Sequence, residues 1–180
     1  MKNIVHIYGA SGSGTSTLGR KLCDELGWFF MDTDNYYWLP ADPMYTQKRS
    51  APERLALMRR DIAAHDNAVI SGSLVGWGDV LIPLFTLAVR LVTDTETRIK
   101  RLKKRESLAF GSRILPGGDM HEAHLRFIDW ARAYDTGNAD MRSRAMHDEW
   151  QKLLPCRQLV LDGAEDPEKN CGIIRSALSL

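Results

Sequence analysis

Residues 9–17 read GASGSGTST, with glycines at 9, 12 and 14 and hydroxyls at 11, 13, 15, 16 and 17. An apolar run, NIVHIY at 3–8, precedes them, and Leu18, Leu22 and Leu26 follow at the spacing of one helical face. The stretch is therefore a glycine loop between a strand and a helix N-terminus. Such a loop turns backbone N–H groups toward one point, and the helix end adds partial positive charge. Gly9, Gly14 and Ser16 fill the constrained positions of the phosphate-binding pattern G-x-x-x-x-G-K-[ST], but Thr15 stands where the pattern has lysine. We take Gly9, Ser11, Gly12, Ser13, Gly14, Thr15, Ser16 and Thr17 as the candidate phosphate-binding set, with the Ser16 hydroxyl suited to Mg²⁺. Thr15 donates one neutral hydrogen bond at most. Losing a charge-assisted contact costs on the order of 1.5–3 kcal/mol, so another cation is expected to enter. The competing reading is a tight turn with no ligand.

Arginine is the expected substitute, because it binds phosphate bidentately and keeps its charge. In TETRIKRLKKRE, 95–106, Arg98, Arg101 and Arg105 fall at i, i+3 and i+7, one stripe of a helix, with Ile99 and Leu102 to another side. The stripe leads into a glycine-rich hinge carrying Arg113, and Arg142 and Arg144 follow later. A lid bringing arginines over a triphosphate would exclude water. The bland alternative is a solvated basic face.

These residues need a scaffold. WFFMD at 28–32, NAVISGS at 67–73, LAVRLV at 87–92 and CRQLVLDG at 156–163 read as strands, joining the first at 3–8. Capping boxes are expected at Ser50/Glu53 and at Thr93/Glu96, and Asp119 with Glu122 is expected to cap a helix over 120–134. Further helices are expected near 142–153 and 167–180. Alternating strands and helices imply an α/β fold: a five-stranded parallel sheet covered on both faces. The expected organisation is a single domain over 1–180, with an aromatic excursion at about 33–66 and a lid at about 109–141. Asp32 and Asp34 would stand at a strand's C-terminal end, where ligand crevices form in such sheets. Tyr36, Tyr37, Trp38 and Trp77 would line an acceptor pocket, with Lys48 or Arg49 available for an acceptor phosphate.

The composition narrows the function classes. With 24 basic and 23 acidic residues the formal charge is +1, which gives no whole-domain reason to bind nucleic acid or an anionic membrane. No run approaches the roughly 20 apolar residues that span a bilayer. The start reads as a buried strand and not a signal peptide, so the expected location is cytoplasmic. Three scattered cysteines, Cys23, Cys156 and Cys171, fit free thiols in a reducing compartment. His121 and His124 share a helical face, but no third and fourth metal ligand accompanies them, and they read as helix surface.

Together, the glycine loop, the arginine helix and the hinge resemble the P-loop small-molecule kinases, the nucleoside monophosphate kinase superfamily. GASGSGTSTLG is similar to the phosphate loop of adenylate-kinase-like proteins, with Thr15 for lysine. RLKKRE and the segment after it look like the helix and lid supplying phosphate-binding arginines in that family. The resemblance implies ATP and Mg²⁺ as cofactors and a small acceptor, a nucleoside monophosphate. It makes Arg101, Arg105 and Arg113 catalytic candidates and Arg142 and Arg144 donor-binding ones. STLGRKLCDELGWFFMDTD is also similar to the start of shikimate kinases. That likeness implies Asp32 on the metal side with Ser16, Asp34 as the acceptor base, and a shikimate- or gluconate-type activity. A third alternative, prompted by Thr15, is a non-catalytic nucleotide-binding regulator.

Overall fold

The computed structural model describes residues 2–138 and 140–180. Residue 139, within the expected lid, lies outside the described residues. Five strands form one sheet: β1 (Ile4–Gly9), β2 (Phe29–Asp32), β3 (Ala68–Ser71), β4 (Leu87–Val92) and β5 (Arg157–Asp162). Their order is β2-β3-β1-β4-β5 and every pairing is parallel. All six residues of β1 are buried, as the central strand of a sheet covered on both faces requires.

Side-chain alternation divides the core in two. Val5, Ile7, Val69, Leu87, Val89 and Leu91 point to one face and meet Leu18 and Leu22 of α1 (Thr15–Leu26) and Ile174 of α7 (Pro167–Leu178). Ile4, Tyr8, Ala68 and Ile70 point to the other and meet Met58 and Ile62 of α3 (Ala51–Ala64) and Trp150 of α6 (Arg144–Gln151). This is the expected three-layer α/β fold.

β1 lies between β3 and β4, so connections leave its C-terminal end in opposite directions and open a crevice there. The glycine loop emerges at that point. On one side, α2 (Thr33–Tyr37) leads into a loop closed on itself by a Trp38–Lys48 bridge and a Leu39 N–H to Gln47 carbonyl bond of 2.8 Å. On the other, α4 (Thr95–Phe110) passes through a short 3-10 turn at Gly111–Ile114 to α5 (His121–Arg132). Ile99 and Leu102 of α4 pack on Ile128 and Ala131 of α5, a satellite core apart from the sheet.

Helix starts correct three expectations. The Ser50/Glu53 capping box forms as expected. At α4, however, Asp94 caps, accepting from the Thr97 N–H at 2.8 Å, and Thr93 is left one residue outside. Asp119 does not cap α5, whose start at Met120 has no side-chain cap, because both Asp119 oxygens are taken by Arg113. Helix α6 begins after Ser143, so Arg142 stands in the loop before it and Arg144 is its first residue.

Candidate active site

The loop's geometry begins with glycine. Gly12 has φ +81°, and a Cβ there would stand 2.7 Å from the Arg98 carbonyl oxygen. Gly14 has φ +102° and is the N-cap of α1, yet supplies no side-chain cap. Helices α3, α4, α6 and α7 all have side-chain caps. The first-turn N–H groups of α1, at Thr15, Ser16 and Thr17, therefore keep their donors free for an anion.

Beside them the Ser16 hydroxyl donates to Asp32 Oδ2 at 3.0 Å, and Ser71 Oγ lies 3.5 Å from Ser16 Oγ. Asp32 also caps α2, its Oδ1 accepting from the Asp34 N–H at 3.1 Å. Two hydroxyls and a carboxylate make an oxygen donor set of the kind Mg²⁺ takes with phosphate and water. Ser16 and Asp32 would hold that ion and Ser11 through Thr17 the donor phosphates, so the residues present fit both groups.

Six arginines considered from the sequence take separate paths. Arg98 is fully buried, with its Nε on the Thr93 carbonyl, Nη1 on the Ala131 and Ser11 carbonyls, and Nη2 on Asp135 and Thr95. It is a strut between α4, the loop and α5. Arg101 Nη1 donates to the Gly163 carbonyl at 2.9 Å and reaches the Ser13 carbonyl at 3.5 Å, beside Gly14. Arg105 is exposed, 5.9 Å from the Phe127 ring centre, and its charge acts on Asp34. Arg113 is bound to Asp119 and Asp42. Arg144 is bound to Asp135. Arg142 has no carboxylate within ion-pair distance among the described residues; its Nη2 donates to Ser11 Oγ at 2.9 Å and its guanidinium lies 4.8 Å from the Trp130 ring centre. Two guanidiniums thus flank the loop, Arg142 at Ser11 and Arg101 at Gly14.

Next to the loop is a cavity of about 670 Å³, reaching from Ser11 and Asp34 past Lys48 and Ser73 to His124 and Arg142. Its walls are Tyr37, Trp38, Tyr45, Trp77, Phe127 and Trp130. Asp34 is open to this cavity but crowded by its walls. That burial pushes the Asp34 carboxyl above the usual carboxylate range; the Asp32 charge adds to the rise, while Arg142 and Arg105 oppose it. Burial pulls Arg142 below the ordinary arginine value, with Asp34 opposing.

Tyr36, expected in the pocket, is turned inward and donates to Asp61 Oδ2 at 2.8 Å. The expected Tyr37, Trp38 and Trp77 do line it. His124, expected on a solvated helix surface, also lines it, its Nδ1 2.5 Å from the buried Glu106. Glu106, Phe127 and Trp130 were missed, although Phe127 and Trp130 are three apart on α5 and share a face. The stretch 71–79, expected beside the pocket at the end of the third strand, contributes Ser73, Val75 and Trp77 to it.

Among curated proteins, YqaC of Bacillus subtilis (strain 168), described as uncharacterized, is 41% identical over 162 residues, covering 90% of this chain and 89% of YqaC. The chain belongs to the YqaC family. No family model matches this YqaC-family chain. A cytidylate kinase of Ignicoccus hospitalis is 29% identical over 117 residues, 59% of this chain and 67% of that protein. Among solved structures, a shikimate kinase from Bacteroides thetaiotaomicron superposes with TM-score 0.59 at 15% identity, each chain covered in full. A deoxyadenosine kinase from M. mycoides, solved with dCMP and dCDP, gives 0.55 at 14% identity with 98% of each chain covered. At such identities the likeness is one of fold, and the YqaC-family chain has the fold of these P-loop kinases. No helix among its described residues is long and apolar enough to cross a membrane.

Proposed function

We propose that the protein is an ATP- and Mg²⁺-dependent kinase that phosphorylates a hydroxyl group of a small, uncharged or weakly charged acceptor. The observation carrying this is the place of Asp34: a carboxylate facing an aromatic-walled cavity, two residues from the carboxylate that meets Ser16. A hydroxyl acceptor needs a base at that place, and burial brings a carboxylate closer to the useful range. Charge supports the same choice. The cavity wall carries Asp34 and Glu106 against Lys48 and Arg142, while Asp119 is held by Arg113, so it offers no excess of cations for an acceptor phosphate. Arg49 and Arg54 are committed elsewhere: Arg49 Nε donates to the Tyr36 carbonyl at 3.1 Å, and Arg54 Nε to the Arg49 carbonyl at 2.7 Å while stacking on Tyr37.

In this reading the loop N–H groups and Arg101 hold the donor phosphates. Arg142 bridges the loop and the cavity, where it supplies the charge that Thr15 lacks. The acceptor oxygen loses its proton to Asp34 and bonds the terminal phosphorus, while the bond from that phosphorus to the bridging oxygen of the departing ADP breaks. Mg²⁺, when bound beside Ser16 and Asp32, supplies positive charge to the phosphate oxygens. Trp38, Trp77 and Trp130 position the acceptor, residues 33–66 serve as the acceptor-binding excursion, and 109–141 as the lid of a single domain. Arg113 and Arg144 brace that lid.

A nucleoside monophosphate acceptor is the second reading. Lys48 favours it as a cation at the cavity wall, and so does the partial likeness to a cytidylate kinase. One assay separates them: ADP formation from ATP with polyols, sugar acids, nucleosides and nucleoside monophosphates, on the wild type and on Asp34→Asn. We expect a hydroxyl acceptor to be turned over and Asp34→Asn to lose roughly 10²–10⁴-fold in kcat. Turnover of monophosphates alone, with Asp34→Asn near wild type, overturns the hydroxyl reading. ATP binding without turnover of any acceptor points to the nucleotide-binding regulator.

A further inference from the structure

Behind the cavity wall a buried polar chain runs Ser73, His147, Tyr134. Ser73 Oγ lies 3.0 Å from His147 Nε2, and the Tyr134 hydroxyl 2.7 Å from His147 Nδ1. His147 is fully buried, and Ser73 and Tyr134 are nearly so. Beyond Tyr134, Arg90 is anchored by Nη1 to Asp148 at 2.6 Å and to Gln151 at 2.8 Å, and its charge acts on the tyrosine. Only Ser73 of this chain lines the cavity.

The chain has a direction. Arginine has no acceptor, so Arg90 cannot take the Tyr134 proton. The tyrosine's own proton needs an acceptor, and among the described residues the His147 Nδ1 is the one in place. A neutral imidazole that accepts at Nδ1 carries its proton on Nε2, and that proton points at Ser73 Oγ. Ser73 therefore accepts from the histidine, and its own O–H is left to donate elsewhere. The reverse direction would leave the Tyr134 proton buried without a partner. The imidazole stays neutral through burial, with the Arg142 and Arg90 charges adding to the effect; its pKa is lowered to about 3.

We propose that Tyr134, acting through His147, fixes Ser73 as a hydrogen-bond donor to the acceptor molecule in the cavity. Ser73 would touch the ligand; His147 and Tyr134 are positioning residues. The ligand atom it selects carries a lone pair: a carbonyl, ether, carboxylate or hydroxyl oxygen, or an unprotonated ring nitrogen. A group that only donates is rejected there, since two donors would face each other. This selectivity rests on the kinase reading; the proton order along the chain does not.

The test is long-range ¹H–¹⁵N NMR on the full protein with ¹⁵N-histidine, the His147 signals being assigned by their loss in His147→Gln. Between pH 5 and 8 we expect protonated Nε2 and unprotonated Nδ1. Ser73→Ala should keep this tautomer, because it is set from the tyrosine side. Tyr134→Phe should release it to a mixture. Protonated Nδ1, a titrating imidazolium, or no response to Tyr134→Phe overturns the proposal. With a turned-over acceptor in hand, Ser73→Ala and Tyr134→Phe should each raise its KM at least fivefold while changing kcat less than twofold. Unchanged KM in Ser73→Ala removes the ligand contact. If no acceptor is turned over, the kinase reading fails while the tautomer result still decides the relay. If turnover is found with Nδ1 protonated, the relay fails alone.

Discussion

Arg142→Met separates the charge of this side chain from its bulk. Methionine keeps an unbranched stem against Trp130 and removes the guanidinium that donates to Ser11 Oγ at 2.9 Å. If Arg142 stands in for the missing lysine, its contact with donor phosphate is a charge-assisted hydrogen bond, about 1.5–3 kcal/mol. That corresponds to a roughly 10- to 150-fold weaker Kd for Mg²⁺–ATP by calorimetry. Stability should move the other way or not at all. Arg142 is pulled below the ordinary arginine value by burial and has no carboxylate within ion-pair distance among the described residues, so the folded protein bears a desolvation cost that methionine removes. The expected pattern is therefore weaker nucleotide binding with an unchanged or raised Tm. A lower Tm with unchanged Kd would show Arg142 to be a packing residue and refute the argument. Arg144→Met makes the comparison sharper. Its guanidinium is bound to Asp135, which Arg98 also holds. We expect its effect on ATP affinity to stay within about twofold, since the pair is exposed and such pairs contribute about 0–1 kcal/mol.

Other consequences are open to direct measurement. Asp34→Asn should raise stability near pH 7 while it removes activity. A carboxyl raised in the folded state binds more protons than in the unfolded chain, so its contribution is lost as pH rises through the window above 3.8; urea unfolding of both proteins at pH 4 and 7 checks the sign. His6 and His147 are held neutral by burial, with pKa values lowered from 6.5 to about 4 and about 3. The unfolded chain takes up more protons below 6.5, so stability should fall by about 4 kcal/mol for the pair between pH 7 and 5. His6→Phe, in its setting of Tyr8, Phe85 and Trp150, should roughly halve that fall, and an unaltered pH profile would contradict it. Gly12→Ala must adopt φ +81° with its Cβ against the Arg98 carbonyl, so it should cost about 1–3 kcal/mol in thermal unfolding and weaken ATP binding as well.

Local signals survived into the structure wherever one element decides them. The loop at 9–14, the Ser50 cap and the strand at 87–92 depend on neighbours in sequence, and all three were legible. The arginine stripe was not. Spacing placed Arg98 with Arg101 and Arg105, yet Arg98 shares the buried face with Ile99 and Leu102. A guanidinium is not expected in a core, and it is stable there because carbonyls from three segments and Asp135 satisfy its donors. Those partners come from residues 11, 93, 131 and 135, which no single window of sequence joins. The same holds for part of the cavity. Tyr37, Trp38 and Trp77 were legible as its wall, whereas His124 and Trp130 reach it because α5 packs back on α4, and the local hint on that side was the pairing of Phe127 with Trp130.

Thr15 is better understood from this three-dimensional arrangement than from the motif it breaks. A lysine at that position would come from the loop itself and be present whether or not an acceptor is bound. Arg142 instead comes from the segment before α6, rests on Trp130 of α5, and shares the cavity with Asp34. On the proposed reading, charge on the donor phosphates is then completed only when the lid and the cavity wall are in place. That would make phosphate transfer to water less favourable than in a loop with its own lysine, because a water-filled cavity leaves Arg142 unsupported. Thr15→Lys tests the idea through one ratio. If the lysine raises ATP hydrolysis without acceptor more than it raises turnover with acceptor, the displaced cation serves as a gate. If both rise together, Thr15 is only a weaker loop.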